Sequence, residues 1–467
     1  MERKKLKKAL LLGAGALAGF QTVKYLTRGA INRTHDKILK ILMEDKYDEN
    51  MWELVSAVTR IGLQNVLETN LRATEGKAIA RPMGSPKKFP SLDDLVFSFA
   101  QMYNMPTPLE EKIDTSVVIG KKAKKPFTVS LPIIIAPMAY GEALSKEAKI
   151  ALAKGSALAG TATNTGEGPF LPEERAAAKY LIYQYNRGDW GKTPEIIRQC
   201  DAVEIQLGQG AIGGVGHVIA AKDIDKQLRK DFGFPKGKPA VAHSRQNEVK
   251  RPGDLVKLVR RLKNLGGGIP VGVKLAAGKH LEADLRIVCE AGVDFIALEG
   301  AEAATKASAP ILQDDFGVPI VFAVSRAANW LKENGYQDRV TLIASGKMRT
   351  PGDVLKACAL GADAVYMGAV ALFALSHTQV LQPLPYEPPT QVVWYQGKYA
   401  KKFSIKKGVK YLSQFLFSCK EEIEMGIMAL GKTRLAEVGR EDLMALNELI
   451  GQGCQIPMVY DPFTAKN

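Results

Sequence analysis

The sequence predicts an α/β fold: a parallel (β/α)8 TIM barrel with helical N- and C-terminal extensions. Two observations predict it. Eight short apolar, β-branched runs follow one another between residues 116 and 380, separated by stretches of helical periodicity. Most of those runs stop at a glycine or a polar residue, as barrel strands do where they feed an active site. Eight such alternations favour a closed parallel barrel over a doubly wound sheet.

The elements follow in order. Residues 1–30 open with Lys4-Lys-Leu-Lys-Lys8 and continue as a largely apolar stretch to Phe20. They read as an uncleaved membrane anchor, a membrane-surface helix, a plain helix or a cleaved signal. Gln21 and Lys24 cut the apolar stretch short of the roughly 20 residues that a spanning helix needs. Gly13-x-Gly15 after Leu10-Leu-Leu12 imitates a dinucleotide turn, but residues 36–44 read as helix where a second strand is required. Residues 31–115 read as a helical extension, with helices at 52–63 and 92–102 and a Pro-, Gly- and Ser-rich loop at 80–92.

The barrel occupies residues 116–380. Its expected strands are 131–136, 158–163, 202–207, 270–275, 295–298, 319–324, 340–344 and 364–367. The long interval 208–269 is an insertion, and 238–243 within it is a further strand candidate. Residues 381–467 read as a C-terminal helical extension, joined through the Pro-rich linker 383–389.

Hydrophobic content of 46% and charged content of 24% describe an ordinary globular chain able to build a large core. The five cysteines are scattered without a CxxC, which argues against a disulfide framework, a local zinc site or an iron–sulfur site, and for a cytoplasmic setting. A net charge of +15 gathers partly in runs at 3–8, 121–125 and 398–410. These read as solvated surface, or as attraction to a membrane surface or an acidic partner. No nucleic-acid-binding module accompanies them.

In a barrel the chemistry sits where strands end. Ser345-Gly346 and Gly368-Ala369 each close an apolar run and open a helix, a pattern that lets backbone N–H groups approach a phosphate. Lys274 lies in the apolar run Val271-Gly-Val-Lys-Leu-Ala276, where an ammonium needs an anion or acceptor. That partner is a ligand, or one of Glu299 and Glu302 without any ligand. Asn164-Thr-Gly-Glu-Gly168 follows the second run and reads as a polar turn or a helix cap. Gln206, Gly208-Gln-Gly210 and the following glycines form a flexible loop; their GxGxxG spacing alone is a weak dinucleotide signal. The sixth run reaches Ser325. His217 and His243 read as loop histidines, since neither has a suitably spaced second His or Cys, and no metal site is expected.

Together these segments resemble the FMN-binding synthase domain of glutamate synthases. The resemblance rests on Ala136-Pro-Met-Ala139, Asn164-Thr-Gly-Glu-Gly168, Gln206-Leu-Gly-Gln-Gly-Ala211, Val273-Lys-Leu275, Lys306-Ala-Ser308, Ser345-Gly-Lys-Met-Arg-Thr350 and Met367-Gly-Ala369, with a tail at 428–443. It implies FMN at the barrel mouth, with its phosphate near Gly346 and Gly368. It also implies reduction of 2-iminoglutarate, formed from 2-oxoglutarate and ammonia, to glutamate. The catalytic residues implied are Lys274, Gln209 and Glu302. Cofactor contacts are implied for Pro137, Met138, Ala139, Gln209, Lys274, Ser345, Gly346, Arg349, Gly368 and Ala369. Substrate contacts are implied for Asn164, Thr165, Glu167 and Gln206.

Departures from the family's pattern qualify this. Ser376-His-Thr-Gln379 stands where a cysteine cluster binds iron and sulfur, so no iron–sulfur cluster is expected. Charged positions of the glycine-rich loop have become Gln206, Ile212 and Val215, and a His-Asp-Gly-Gly stretch has become Ala301-Glu-Ala-Ala304. Loss of two lysines weakens the case for a dicarboxylate such as 2-oxoglutarate. The amidotransferase and pyridine-nucleotide modules are not read in these residues, so a separate electron-donor protein is expected. The alternatives are an FMN-barrel oxidoreductase or isomerase acting on another amino or hydroxy acid, a non-catalytic membrane-anchored scaffold, and a pyridine-nucleotide dehydrogenase.

Overall fold

The computed structural model describes residues 2–44, 52–306, 308–379 and 391–462. Ala307 and the expected linker 383–389 lie outside the described residues. The chain divides into two compact units, Met1–Ile79 and Ala80–Asn467.

The first unit is helical: Glu2–Glu44, Trp52–Ile61 and Leu63–Glu75. Gly62, at φ 87°, separates the last two. No helix among the described residues is long and apolar enough to cross a membrane, in line with the short apolar stretch of residues 1–30, and the reading of that segment as a membrane anchor finds no support.

The second unit is built on an eight-stranded parallel sheet. Its strands are β1 (Ile133–Ile135), β2 (Ala162–Asn164), β3 (Tyr180–Tyr185), β4 (Ala202–Gln206), β5 (Val271–Ala276), β6 (Phe295–Glu299), β7 (Thr341–Ser345) and β8 (Ala364–Met367). Hydrogen-bonded neighbours run in the order β1-β8-β7-β6-β5-β4-β3-β2. The circle closes between β1 and β2, where the Thr161 hydroxyl donates to the Ile133 carbonyl at 2.5 Å. Strands such as Ile-Ile-Ile at β1 are buried on both faces, which is why they read as continuous apolar runs. Register brings Gln206, Lys274 and Ala297 side by side, and sets Glu299 beside Ser345 and Ser345 beside Tyr366. One end of the sheet thus carries a polar layer.

Two strand assignments change. The run 319–324 is not a strand but the start of the helix Ile320–Glu333. Its β-branched opening continues with a helical period, burying Val321, Val324, Ala327 and Leu331 on one face. Ser325 is accordingly buried in that helix. The missing strand is β3, whose aromatic residues lie between two short helices with Pro at their first positions. The segment 92–102 is also not helical. Ser91 and Asp94 cap a single 3-10 turn, and Leu95–Phe97 then pairs antiparallel with Leu443–Ala445. Within the insertion, His217–Ile219 and Ala240–Ala242 form an antiparallel pair outside the barrel.

The helix Lys146–Leu158 places Lys149 behind the ends of β1 and β2, fully buried. Its ammonium donates to the carbonyls of Met138 at 2.8 Å, Asn164 at 2.8 Å and Thr165 at 3.2 Å, and ion-pairs with buried Glu174 at 2.9 Å. Burial pushes the Glu174 carboxyl up, and the Lys149 charge opposes that shift. Removing one partner of a buried pair leaves an uncompensated charge. Lys149→Met is therefore expected to lower unfolding free energy by about 3–5 kcal/mol, and Lys149→Met with Glu174→Leu to recover much of it. Urea unfolding of the three proteins checks this; a single-variant loss under about 1 kcal/mol contradicts the pinning role.

Candidate functional site at the barrel mouth

A cavity of about 740 Å³ opens at the C-terminal ends of the strands. Pro137, Met138, Ala139, Glu167, Gln209, Lys274, Glu302, Ser345, Gly346, Arg349, Gly368 and Ala369 all reach its wall. Asn164, Thr165 and Gln206, expected beside substrate, are not among its lining residues. They are buried and bonded within the protein. The Asn164 amide donates to Glu204 and Tyr366, Thr165 accepts from the Gln184 N–H, and Gln206 donates to Gln209.

Lys274 is the centre of the floor. Its ammonium stands 3.0 Å from Glu299 Oε1 and 3.2 Å from Gln209 Oε1, and it is only 3% exposed. Glu299 is held by the Gly210 N–H at 2.8 Å and the Ser345 hydroxyl at 3.3 Å. Deeper in the barrel, Glu204 accepts from Tyr366 at 2.5 Å and from Asn164 at 3.2 Å. Burial pushes Glu204 up, opposed by the charge of Lys274 and the Tyr366 hydrogen bond. Lys274 thus pairs with Glu299, one of its two expected protein partners, and also lines the cavity.

One side of the cavity is lined by the turn after β7 and the start of the helix after β8. Gly346 adopts φ 138° and Lys347 φ 53°, so the chain turns sharply after β7, and both residues line the cavity. The helix Ala369–Ser376 after β8 begins at Gly368 with no side-chain cap. The neighbouring helix Pro351–Ala359 is capped by Thr350 and Asp353. An uncapped helix start leaves N–H donors for an external oxygen anion. Arg349, although on the wall, is engaged by Asp93 at 2.6 Å and Asp353 at 3.1 Å. The hydrogen bond to Asp93, before the pair with Asp353, pushes its basicity further up.

The opposite side carries charges that the sequence did not bring together. Glu142 follows β1, Glu167 follows β2, Arg187 follows β3 and His217 comes from the inserted hairpin. His217 Nε2 lies 2.7 Å from Glu142 Oε1, and Arg187 Nε lies 4.0 Å from Glu167 Oε1. Lys306 donates to the Glu142 carbonyl. Burial and then the Glu142 charge push Glu167 up, against the pull of His217 and Arg187. Burial lowers His217, but the Glu142 hydrogen bond and charge outweigh it and raise it. Gln184, on β3, lines the cavity with an unpartnered Oε1. Gln184 and Arg187 were missed because β3 was missed. The run Tyr180-Leu-Ile-Tyr-Gln-Tyr185, closing at Gly188, carried the same strand-to-glycine signal as the others.

Residues 83–433 match the family described as a conserved region in glutamate synthase. The chain belongs to the glutamate synthase family. It is 32% identical over 410 residues to a glutamate synthase large subunit-like protein of Rhizobium meliloti (strain 1021), covering 84% of this chain and 92% of that one. It is 31% identical over 333 residues to an archaeal glutamate synthase [NADPH] of Methanocaldococcus jannaschii, covering 65% of each chain. The archaeal-type glutamate synthase [NADPH] of Thermotoga maritima is 29% identical over 326 residues, covering 65% of this chain and 64% of that one. This chain therefore spans just under two thirds of the archaeal-type relatives. A solved mandelate oxidase is similar at a TM-score of 0.49 and 16% identity, covering 76% of this chain and 88% of that one. Membership in the glutamate synthase family makes the protein an oxidoreductase.

Glu302 stands between these two sides. Its Oε2 accepts from the Ile320 N–H at 2.8 Å and so serves the start of the helix after β6, while Oε1 has no partner. Burial is the main cause that pushes its carboxyl from 4.5 up to about 6. A raised acid binds its proton more tightly folded than unfolded, so stability falls as pH rises from 4.5 to 6. Glu302→Gln keeps an acceptor for Ile320 and is expected to remove roughly 2 kcal/mol of that fall. Urea unfolding of both proteins across this window tests it; parallel pH profiles contradict it.

Proposed function

We propose that this glutamate synthase family protein is an FMN-dependent oxidoreductase that reduces the imine of 2-oxoglutarate and ammonia to glutamate, with electrons from a separate protein. The observation that carries the reading is one cavity with an uncapped anion cradle on one side and the buried lysine–glutamine pair on its floor. The residues fit FMN. The turn at Ser345–Gly346–Lys347 and the helix start at Gly368–Ala369 would hold its phosphate, and Pro137, Met138 and Ala139 would flank its ring. FMN bound there would supply two-electron redox chemistry.

The protein's own groups then have distinct tasks. Lys274 offers a positive charge fixed in place by Glu299, with no reorganisation needed when negative charge develops nearby. Gln209, anchored by Gln206 and Lys274, orients a polar ring edge. Glu302, with its carboxyl raised to about 6 and its Oε1 free, would exchange a proton with substrate nitrogen, as an acid below that pH and as a base above it. Lys306 on the wall would supply positive charge toward an acid substrate, with buried Arg187 behind Glu167. Glu142 and Glu167 on that same wall favour a second reading, an FMN enzyme of the same fold acting on a different amino acid, with their carboxylates toward its ammonium.

The full chain is expected to bind one FMN and to form glutamate from 2-oxoglutarate and ammonium with a chemical reductant. Lys274→Ala is expected to lower that rate by about 10²-fold or more with FMN still bound; Lys274→Ala with Glu299→Gln controls for the orphaned carboxylate. Protein that takes up no FMN ends the reading. FMN uptake without glutamate, but with flavin bleaching by another amino acid, supports the second one.

A further inference from the structure

We propose that Glu142, Glu167 and His217 form a divalent-cation site on the substrate side of the cavity. Each offers one ligand atom, and the three atoms lie within 4.8 Å of one another. A cation bonded at about 2.0–2.2 Å to two carboxylate oxygens and an imidazole nitrogen spans such a group with small side-chain movements. The three residues come from three separate segments: the loops after β1 and β2 and the inserted hairpin. The hairpin is fixed by its pairing of His217 with Ala242.

A second observation points to a ligand. Glu167 is 7% exposed, and its Oε1 makes no hydrogen bond. Arg187 Nε, the nearest cation, stands back at 4.0 Å, with its terminal nitrogens committed to the Ser244 and Val215 carbonyls. A buried carboxylate oxygen without a close donor is costly, and a metal ion removes that cost. All three residues line the cavity, so further coordination positions face the space where a substrate enters. Two carboxylates and one imidazole are a donor set for Mn²⁺, Fe²⁺ or Zn²⁺ rather than for Mg²⁺ or Cu⁺.

Charge gives the site its role, and this step rests on the acid-substrate reading above. Without a cation, Glu142 and Glu167 repel a substrate carboxylate. With a divalent ion their charges are balanced, and Lys306 leaves that wall positive. The ion then acts as a receptor for a carboxylate or 2-oxo oxygen of the substrate.

The test is titration of chelator-treated full-length protein with MnCl₂, followed by calorimetry and by the loss of free-Mn²⁺ electron-spin-resonance signal. One Mn²⁺ per chain is expected, weakened at least about 10-fold in Glu167→Gln and again in His217→Ala. Circular dichroism checks that both variants are folded, and Glu142→Gln replaces either one that is not. Binding that is absent, or equally strong in folded variants, overturns the site. Flavin content is read on the same samples, so a failure of FMN binding is separable: Mn²⁺ bound by flavin-free protein sustains the site while ending the flavin reading.

Discussion

The geometry of the mouth hangs on one buried ammonium. Lys149 reaches from the helix behind the barrel to three carbonyls on two consecutive strand-end loops. An ammonium has three donors, so every one is committed, and Glu174 supplies the counter-charge that makes burial tolerable. Met138, Glu142 and Glu167 thus take their positions from an interaction that never touches the cavity. The close approach continues at Gly166 and Gly168, where a Cβ would meet the backbone of Met138 and Tyr140 within 2.6 Å and 2.3 Å. The glycines of Asn164-Thr-Gly-Glu-Gly168 are there so that two loops can touch while Glu167 alone projects outward.

The barrel's interior follows the same logic of commitment. Two polar groups interrupt an otherwise apolar sheet: Glu204 with Tyr366 and Asn164, and Lys274 with Glu299 and Gln209. In a low-dielectric interior such groups are strong when satisfied and costly when broken. The charge of Lys274 also opposes the upward shift of Glu204, so the deeper group is tied electrostatically to the one that faces the cavity.

Much of this was legible in the residues, and the failures have physical causes. Seven strands announce themselves as β-branched runs because both faces of a parallel barrel are buried. The eighth, β3, is aromatic and follows so closely on a short helix that its boundary is blurred. The run 319–324 has strand composition but continues with a helical period, which decides its conformation. The count of eight was reached with one strand missed and one helix taken for a strand. Lys274, Gln209, Ser345 and Gly346, singled out because a charge or a glycine in an apolar run is locally anomalous, all line the cavity. Asn164, Thr165 and Gln206 looked equally anomalous, and they lie behind the lining in hydrogen bonds within the protein. The Glu142–Glu167–His217 group was invisible, since its members are brought together only by the loops and the hairpin.

The pairing of Leu95–Phe97 with Leu443–Ala445 ties the segment that leads into the barrel to one that follows its last strand. The helix Ile405–Ala429 presses Leu412 against Gly155 on the very helix that carries Lys149, so that helix too is covered by residues beyond β8. Both contacts close long stretches of chain, whose entropic cost must be met before they stabilise the fold. Loosening either one would therefore reach the loops of the mouth, although neither touches the cavity.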